Sequence, residues 1–299
     1  MNQNNKGLLL VALAGVCWST TGIFANTLLS HGLSAYEVAF SRLFIGSTLF
    51  LIYFILKERH LLKLDFMGLI LTFFMGIMTQ GLFNIAFFSA IDKIGVIHST
   101  VLLYLAPLFI TIFSVLLYKE KLTREKVFGV ALSILGSFLA LTSGKLDLHI
   151  LSLSGLALGL YAGLGYSLVS VFSKFGLKKY QGKTLIFYSF LFGLIFILPF
   201  ADLSLVMTKI HIPAVSISMI GLGFIAAALA YILYFEGIAT GLELSKVGVV
   251  SMIELILAIA LSVLLVGESL TFIKIIGIIL ILVSIYVINK PTNAFDDFI

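Results

Sequence analysis

The sequence predicts an all-α integral membrane protein with ten transmembrane helices arranged as two inverted five-helix repeats. Three observations support this. Hydrophobic residues make up 61% of the 299-residue chain and charged residues 11%, and the mean hydropathy is +1.17. That is more apolar surface than a soluble core of this length can hide. The apolar residues fall into ten runs, most of about 20 residues, the length that crosses a hydrocarbon layer about 30 Å thick. A shift of about 148 residues then lays the second half of the chain over the first.

The ten runs are 7–29, 34–56, 66–90, 94–117, 127–143, 151–173, 184–201, 213–239, 246–266 and 271–289, and each ends at charged residues, Pro or Gly. The first begins like a secretory signal, with Lys6 before Leu8, but it stays apolar to Leu29 with no small-residue cleavage site, so it reads as span one. The connections are too short for a soluble domain. The repeat is clearest at the ends of spans four and nine, where SVLLYKEKLT (114–123) falls on SVLLVGESLT (262–271). The same shift puts AGVCWS (14–19) on AGLGYS (162–167), Phe24 on Phe172 and Gly129 on Gly277. The expected units are therefore 1–147 and 148–299.

Lys and Arg in the connections are strongly biased. One side holds Lys6, Lys57, Arg59, Lys63, Lys119, Lys121, Arg124, Lys126, Lys174, Lys178, Lys179, Lys183, Lys246 and Lys290, and the other holds only Lys93, Lys145, Lys209 and Lys274. By the positive-inside rule the richer side is cytoplasmic, which places both termini in the cytoplasm of a multi-pass cell-membrane protein. Five spans per repeat is odd, so the second repeat enters the bilayer from the opposite side to the first. Inverted repeats of this kind build secondary transporters around a site near the midplane.

Composition also argues against other classes. The net charge of +5 is interrupted by long apolar runs that nucleic-acid modules do not contain, so no nucleic-acid partner is expected. Ser143-Gly144-Lys145 lacks the upstream Gly of a phosphate loop, no His pair has zinc spacing and no Gly-x-Ser-x-Gly occurs, so no nucleotide, metal, cofactor or enzymatic activity is expected. Cys17 alone can form neither an internal disulfide nor a Cys-based metal site. The expected partners are a small-molecule substrate, the lipid bilayer and protons as a coupling ion.

The 5+5 plan, the Gly-rich first span with Trp18, and the LYKEKLT and LVGESLT ends of spans four and nine resemble EamA-type members of the drug/metabolite transporter superfamily. The resemblance runs from about Lys6 to Asn289. LYLAPL (103–108) matches the Pro motif of the family's fourth helix, and the stretch from Ser245-Lys246 to Glu254 resembles its ninth-helix segment, which usually ends in Glu-Pro. Leu255 stands in place of that Pro, so the sequence basis for a kink in span nine matching one at Pro107 is missing. The resemblance implies a metabolite carrier whose cavity is lined by helices one, three, four, six, eight and nine. It also supplies an amino-acid-like substrate class and a bias toward export.

At about 1.5 Å of rise per residue, Trp18, Gln80, Pro107, Tyr166 and Glu254 all fall near the middle of their spans. Low dielectric disfavours a bare carboxylate there, so Glu254 is expected to bind a substrate ammonium, exchange protons, or do both. A permanently protonated, hydrogen-bonded structural Glu is the alternative. Gln80 and Asn84, four residues apart, share one helix face and can hydrogen-bond a zwitterion, or simply hold helices together. Trp18, Tyr104, Tyr166, Tyr231 and Tyr234 are candidates for aromatic walls, and ring faces attract organic cations. The repeat relates Trp18 to Tyr166. Pro107 frees a backbone carbonyl in span four. Glu236, near the cytoplasmic end of span eight, is expected to act as a gate or to pair with Lys246. Arg42 reads as a structural charge pairing across helices, with attraction of an anionic substrate group as the alternative.

The expected function is alternating-access transport of small polar, amino-acid-like metabolites, outward. Transport of choline-like quaternary ammonium compounds is the competing reading within the class, and a structural or lipid-moving membrane protein is the competing reading outside it.

Overall fold

The computed structural model describes residues 2–147, 149 and 151–290, and among these the secondary structure is helical throughout, with no strand. Eight helices are long and apolar enough to cross a membrane: α1 (Gln3–Ser30), α2 (Ala35–Leu56), α3 (Phe66–Leu103), α5 (Arg124–Thr142), α6 (Leu153–Gly176), α7 (Gly182–Phe200), α8 (Pro213–Ala239) and α9 (Leu244–Leu265). Two shorter apolar helices, α4 (Ala106–Tyr118) and α10 (Phe272–Ile288), complete the set. Polar side chains start several of them. Ser34 and Glu37 form a reciprocal capping box on α2, and Asp65, Thr123, Ser152 and Thr271 each accept a first-turn N–H of α3, α5, α6 and α10.

The structure departs from the ten separate runs at spans three and four. α3 continues for 38 residues, which at about 1.5 Å per residue is nearly twice the hydrocarbon thickness. Its backbone breaks at Gly95, whose φ of 76° and ψ of 163° lie where only glycine sits without strain. The stretch after Gly95 leads through Tyr104 and Leu105 into α4. In the second half the same division is made by an ordinary loop between Ala239 and Leu244.

Two local devices recur at the repeat spacing and are invisible in the hydropathy pattern. α3 contains a π-helical turn at Ile77–Leu82, and α8 contains one at Phe224–Leu229. The helix is also interrupted at Tyr104–Leu105 and again at Ser251–Met252 inside α9. The second interruption corrects the expectation drawn from Leu255: α9 breaks without a proline. Pro107 is corrected too, since it occupies the first turn of α4 after the break, where its missing N–H has no helical partner to lose.

Glycines on the neighbouring helices let these breaks approach closely. A Cβ on Gly163 of α6 would stand 2.6 Å from the Leu102 carbonyl oxygen, and one on Gly15 of α1 would stand 2.5 Å from Ile253 and 3.3 Å from the Ser251 oxygen. The packing shows the same exchange of halves. α1 lies against α8 and α9 as α6 lies against α3 and α4, while α2 pairs with α7 and α5 with α10. The residues that cap the C-terminal ends of α4 and α9, Lys119 and Gly267, both turn left-handed, with φ of 54° and 76°.

The connection after α2 is tied to that after α6. Lys179 donates to Asp65 at 2.6 Å and Tyr180 donates to its other oxygen at 2.6 Å. Lys179, then Tyr180 and the Gly68 N–H, hold the Asp65 carboxyl down to about 2, so it is ionised at any physiological pH.

Candidate functional site

The residues that converge are mostly aromatic, and they come from both halves of the chain. Trp18, 5% exposed on α1, is in ring contact with Tyr166 on α6 and with Tyr231 and Tyr234 on α8, at centroid distances of 6.1, 5.5 and 4.9 Å. Edge-on and tilted geometries of this kind are worth about 0.5–1.5 kcal/mol per pair beyond area burial. The phenol of Tyr166 donates to Glu254 Oε2 at 3.0 Å, which sets the carboxyl at the edge of the aromatic cluster. Glu254 is the second residue of the helical segment after the α9 break, so the interruption places this acid beside α1 and α6.

The π-turns furnish the polar half of the site. Within the turn of α3, Gln80 is 1% exposed and its Nε2 donates to the Tyr231 hydroxyl at 2.9 Å. Asn84 does not join the aromatic cluster directly; its side-chain amide donates to the Gln80 carbonyl oxygen. In the turn of α8, the Ala226 carbonyl accepts from Arg42 Nη2 at 3.2 Å. A π-turn widens the helix and releases a carbonyl from the regular ladder, which a side chain on a neighbouring helix can then take. The Arg42 guanidinium lies 5.8 Å from the Tyr231 ring centroid and within electrostatic reach of Glu254. The structure therefore puts Arg42 against the aromatic cluster.

Of the remaining candidates, Tyr104 borders the Glu254 side of the site and Glu236 lies apart. Tyr104, 7% exposed, belongs to an apolar cluster with Met252, Leu255 and Ile259. Glu236 is exposed and lines a separate cavity of about 320 Å³ with Tyr180, Gln181 and Lys183. The reach expected from it toward Lys246 is not made, because Lys246 pairs with Glu243 at 2.9 Å. Sequence reading missed Ser170, whose hydroxyl is 2.6 Å from that of Tyr234, and both π-turns.

It also missed a network at the end of the bundle where α4, α6 and α9 meet. Glu120, with a side chain 7% exposed, accepts from Lys174 Nζ at 2.8 Å, from the Leu244 N–H at 2.7 Å and from Ser245 Oγ at 3.1 Å. Beside it Lys126 donates to Glu243 at 2.9 Å. Burial alone would push the Glu243 carboxyl up, but donation from Lys126 and then Lys246 outweighs it and holds the group below its ordinary value. Glu268, the counterpart of Glu120, instead pairs with Lys274 and accepts from Ser262, both close to it in sequence. The Glu-Lys-Leu-Thr and Glu-Ser-Leu-Thr ends carry the signal for these acids, but nothing in the sequence shows that only one of them crosses to another helix.

The EamA-like transporter family model matches residues 5–142 and again 153–290, which is nearly the whole described chain. The chain belongs to the EamA-like transporter family. Among similar proteins are an "Uncharacterized transporter" of Archaeoglobus fulgidus, 25% identical over 94% of this chain and 95% of its own length, and the "Uncharacterized inner membrane transporter YicL" of Salmonella typhimurium, 26% identical over 98% of each. A solved crystal structure superposes with a TM-score of 0.79 at 16% identity, covering 95% of this chain and 96% of the other, and so shares its fold. The EamA-like chain is a multi-pass membrane transporter.

Proposed function

We propose that this EamA-like protein is a secondary carrier of small, polar, amino-acid-like metabolites, working by alternating access across the cell membrane and in the outward direction. The observation that carries this reading is the Tyr166–Glu254 hydrogen bond at the edge of the Trp18, Tyr231 and Tyr234 rings. A carboxylate flanked by ring faces suits an organic ammonium, which gains both an ion pair and cation–π attraction when desolvated. In this reading the two units, 1–147 and 148–299, are inverted repeats making ten crossings, with Gly95 separating the third from the fourth. Glu254 exchanges its substrate partner for a proton, which supplies the coupling ion. Recurrence of the π-turns and helix breaks in both halves supports two near-equivalent conformations.

Reconstituted into liposomes, the protein should show saturable flux of labelled amino acids that unlabelled substrate on the opposite side accelerates. Non-saturable flux without such acceleration would make it a channel, and no flux of any amino acid would remove the substrate class. The bias of basic residues further supports cytoplasmic termini. A cysteine placed at Lys178 should resist an impermeant thiol reagent in intact cells and react after permeabilisation; labelling of intact cells would reverse the orientation.

A further inference from the structure

Two donors at the centre of the bundle are buried without acceptors. The indole Nε1 of Trp18 and Nε of Arg42 each lack a hydrogen-bond partner. An N–H left in this state forfeits its hydration for nothing in return, so such groups are rare in folded proteins and point to something that completes them. Both donors belong to side chains packed on one ring, that of Tyr231, with Trp18 at 5.5 Å and Arg42 at 5.8 Å from its centroid. Among the described residues Arg42 makes no direct ion pair within 4 Å. Its Nη2 is fixed by the Ala226 carbonyl, which accepts one N–H and leaves the rest of the fork.

We propose that Trp18 Nε1 and Arg42 Nε form the anion-accepting end of the central site and bind the carboxylate of a zwitterionic substrate whose ammonium is held by Glu254. This rests on the carrier reading above and deepens it by assigning the second pole of the substrate. An acid and a guanidinium both border one aromatic cluster, which supplies a partner for each pole of a zwitterion. A choline-like cation would satisfy Glu254 but would leave both N–H groups and the guanidinium charge unanswered. The same two residues thus set specificity: they reject simple amines by leaving buried donors unpaired.

The test is a binding titration on the purified full chain with proteinogenic amino acids, each matched to its decarboxylated amine, from alanine and ethylamine to tryptophan and tryptamine. At least one amino acid should bind tenfold or more tightly than its amine. In Trp18→Phe, which keeps an aromatic ring but removes the donor, affinity for the amino acid should fall about tenfold more than affinity for the amine, the effect of one hydrogen bond to a charged group, since the smaller ring affects both ligands alike. Arg42→Lys keeps the charge, loses the fork and should narrow the same ratio, which provides a second variant should either fold poorly. Equal binding of amino acid and amine by the unaltered protein, or a ratio unmoved in both variants, overturns the anion-accepting end while leaving the ammonium site at Glu254 standing. Failure of every amino acid and amine to bind overturns the carrier reading and this assignment together.

Discussion

Glu254→Gln is expected to abolish the pH dependence of transport and to weaken substrate binding roughly 10- to 100-fold, with folded yield close to that of the unaltered protein. The size reflects the loss of one charge-assisted interaction, about 1.5–3 kcal/mol, at about 1.4 kcal/mol per factor of ten. Yield should hold because the Gln carbonyl can still accept from the Tyr166 hydroxyl, which donates to Glu254 at 3.0 Å. What Gln cannot do is titrate or carry a countercharge to a substrate ammonium. In a carrier that exchanges proton for substrate at this carboxyl, the variant should therefore run at one rate in acid and alkaline media alike. Initial rates in proteoliposomes across that range decide the point. A variant with the unaltered pH profile makes Glu254 structural and moves the site onto Gln80, Asn84 and the rings.

Glu120→Ala should cost about 2–4 kcal/mol, whereas Glu268→Ala should cost about 1–2 kcal/mol, although the repeat relates the two acids. Removing one member of a buried pair costs about 3–5 kcal/mol, and the whole range is lowered by about 1 kcal/mol because Lys174 is 21% exposed and can turn to water. Glu120 also serves the first N–H of α9, so its loss opens the join between α4, α6 and α9. Glu268 is 46% exposed and pairs with a lysine six residues away; Lys274 is only 10% exposed and loses a partner, but the pair holds no second helix in place. Thermal unfolding of the two purified variants gives the comparison. Equal shifts in melting temperature would show that the Glu120 network contributes nothing beyond an ordinary surface pair. Greater exposure at this end of the bundle in Glu120→Ala, read by cysteine accessibility on α4 or α9, should accompany the loss.

The candidate site was partly legible in the sequence for a specific reason. Depth along a helix can be counted from residue number, so Trp18, Gln80, Tyr166 and Glu254 could be assigned to one level of the bilayer, and the repeat alone paired Trp18 with Tyr166. Azimuth cannot be counted in this way when the helix is irregular. The π-turn at Phe224–Leu229 adds a residue to one turn and rotates the remainder of α8, which decides where Tyr231 and Tyr234 point. The breaks at Tyr104–Leu105 and Ser251–Met252 do the same for Tyr104 and Glu254.

Arg42 shows the limit most clearly. On α2 alone it is a charge in an apolar run, which reads first as a structural charge pairing across helices and only second as an anion site. Its partner, the Ala226 carbonyl, is a backbone atom 184 residues away with no sequence signature, released by a turn that hydropathy does not encode. Glu120 is similar, since its motif is shared with Glu268 and only the packing of α6 brings Lys174 to one of them.

By itself the sequence determined that this chain lives in a membrane and that it is built twice, because hydrophobic length and periodicity are properties of the chain taken one segment at a time. Only the tertiary structure decided which residues meet, which helices break and which carbonyls are free. Those outcomes depend on close packing between segments far apart in sequence, where a single extra residue in one turn redirects every side chain beyond it.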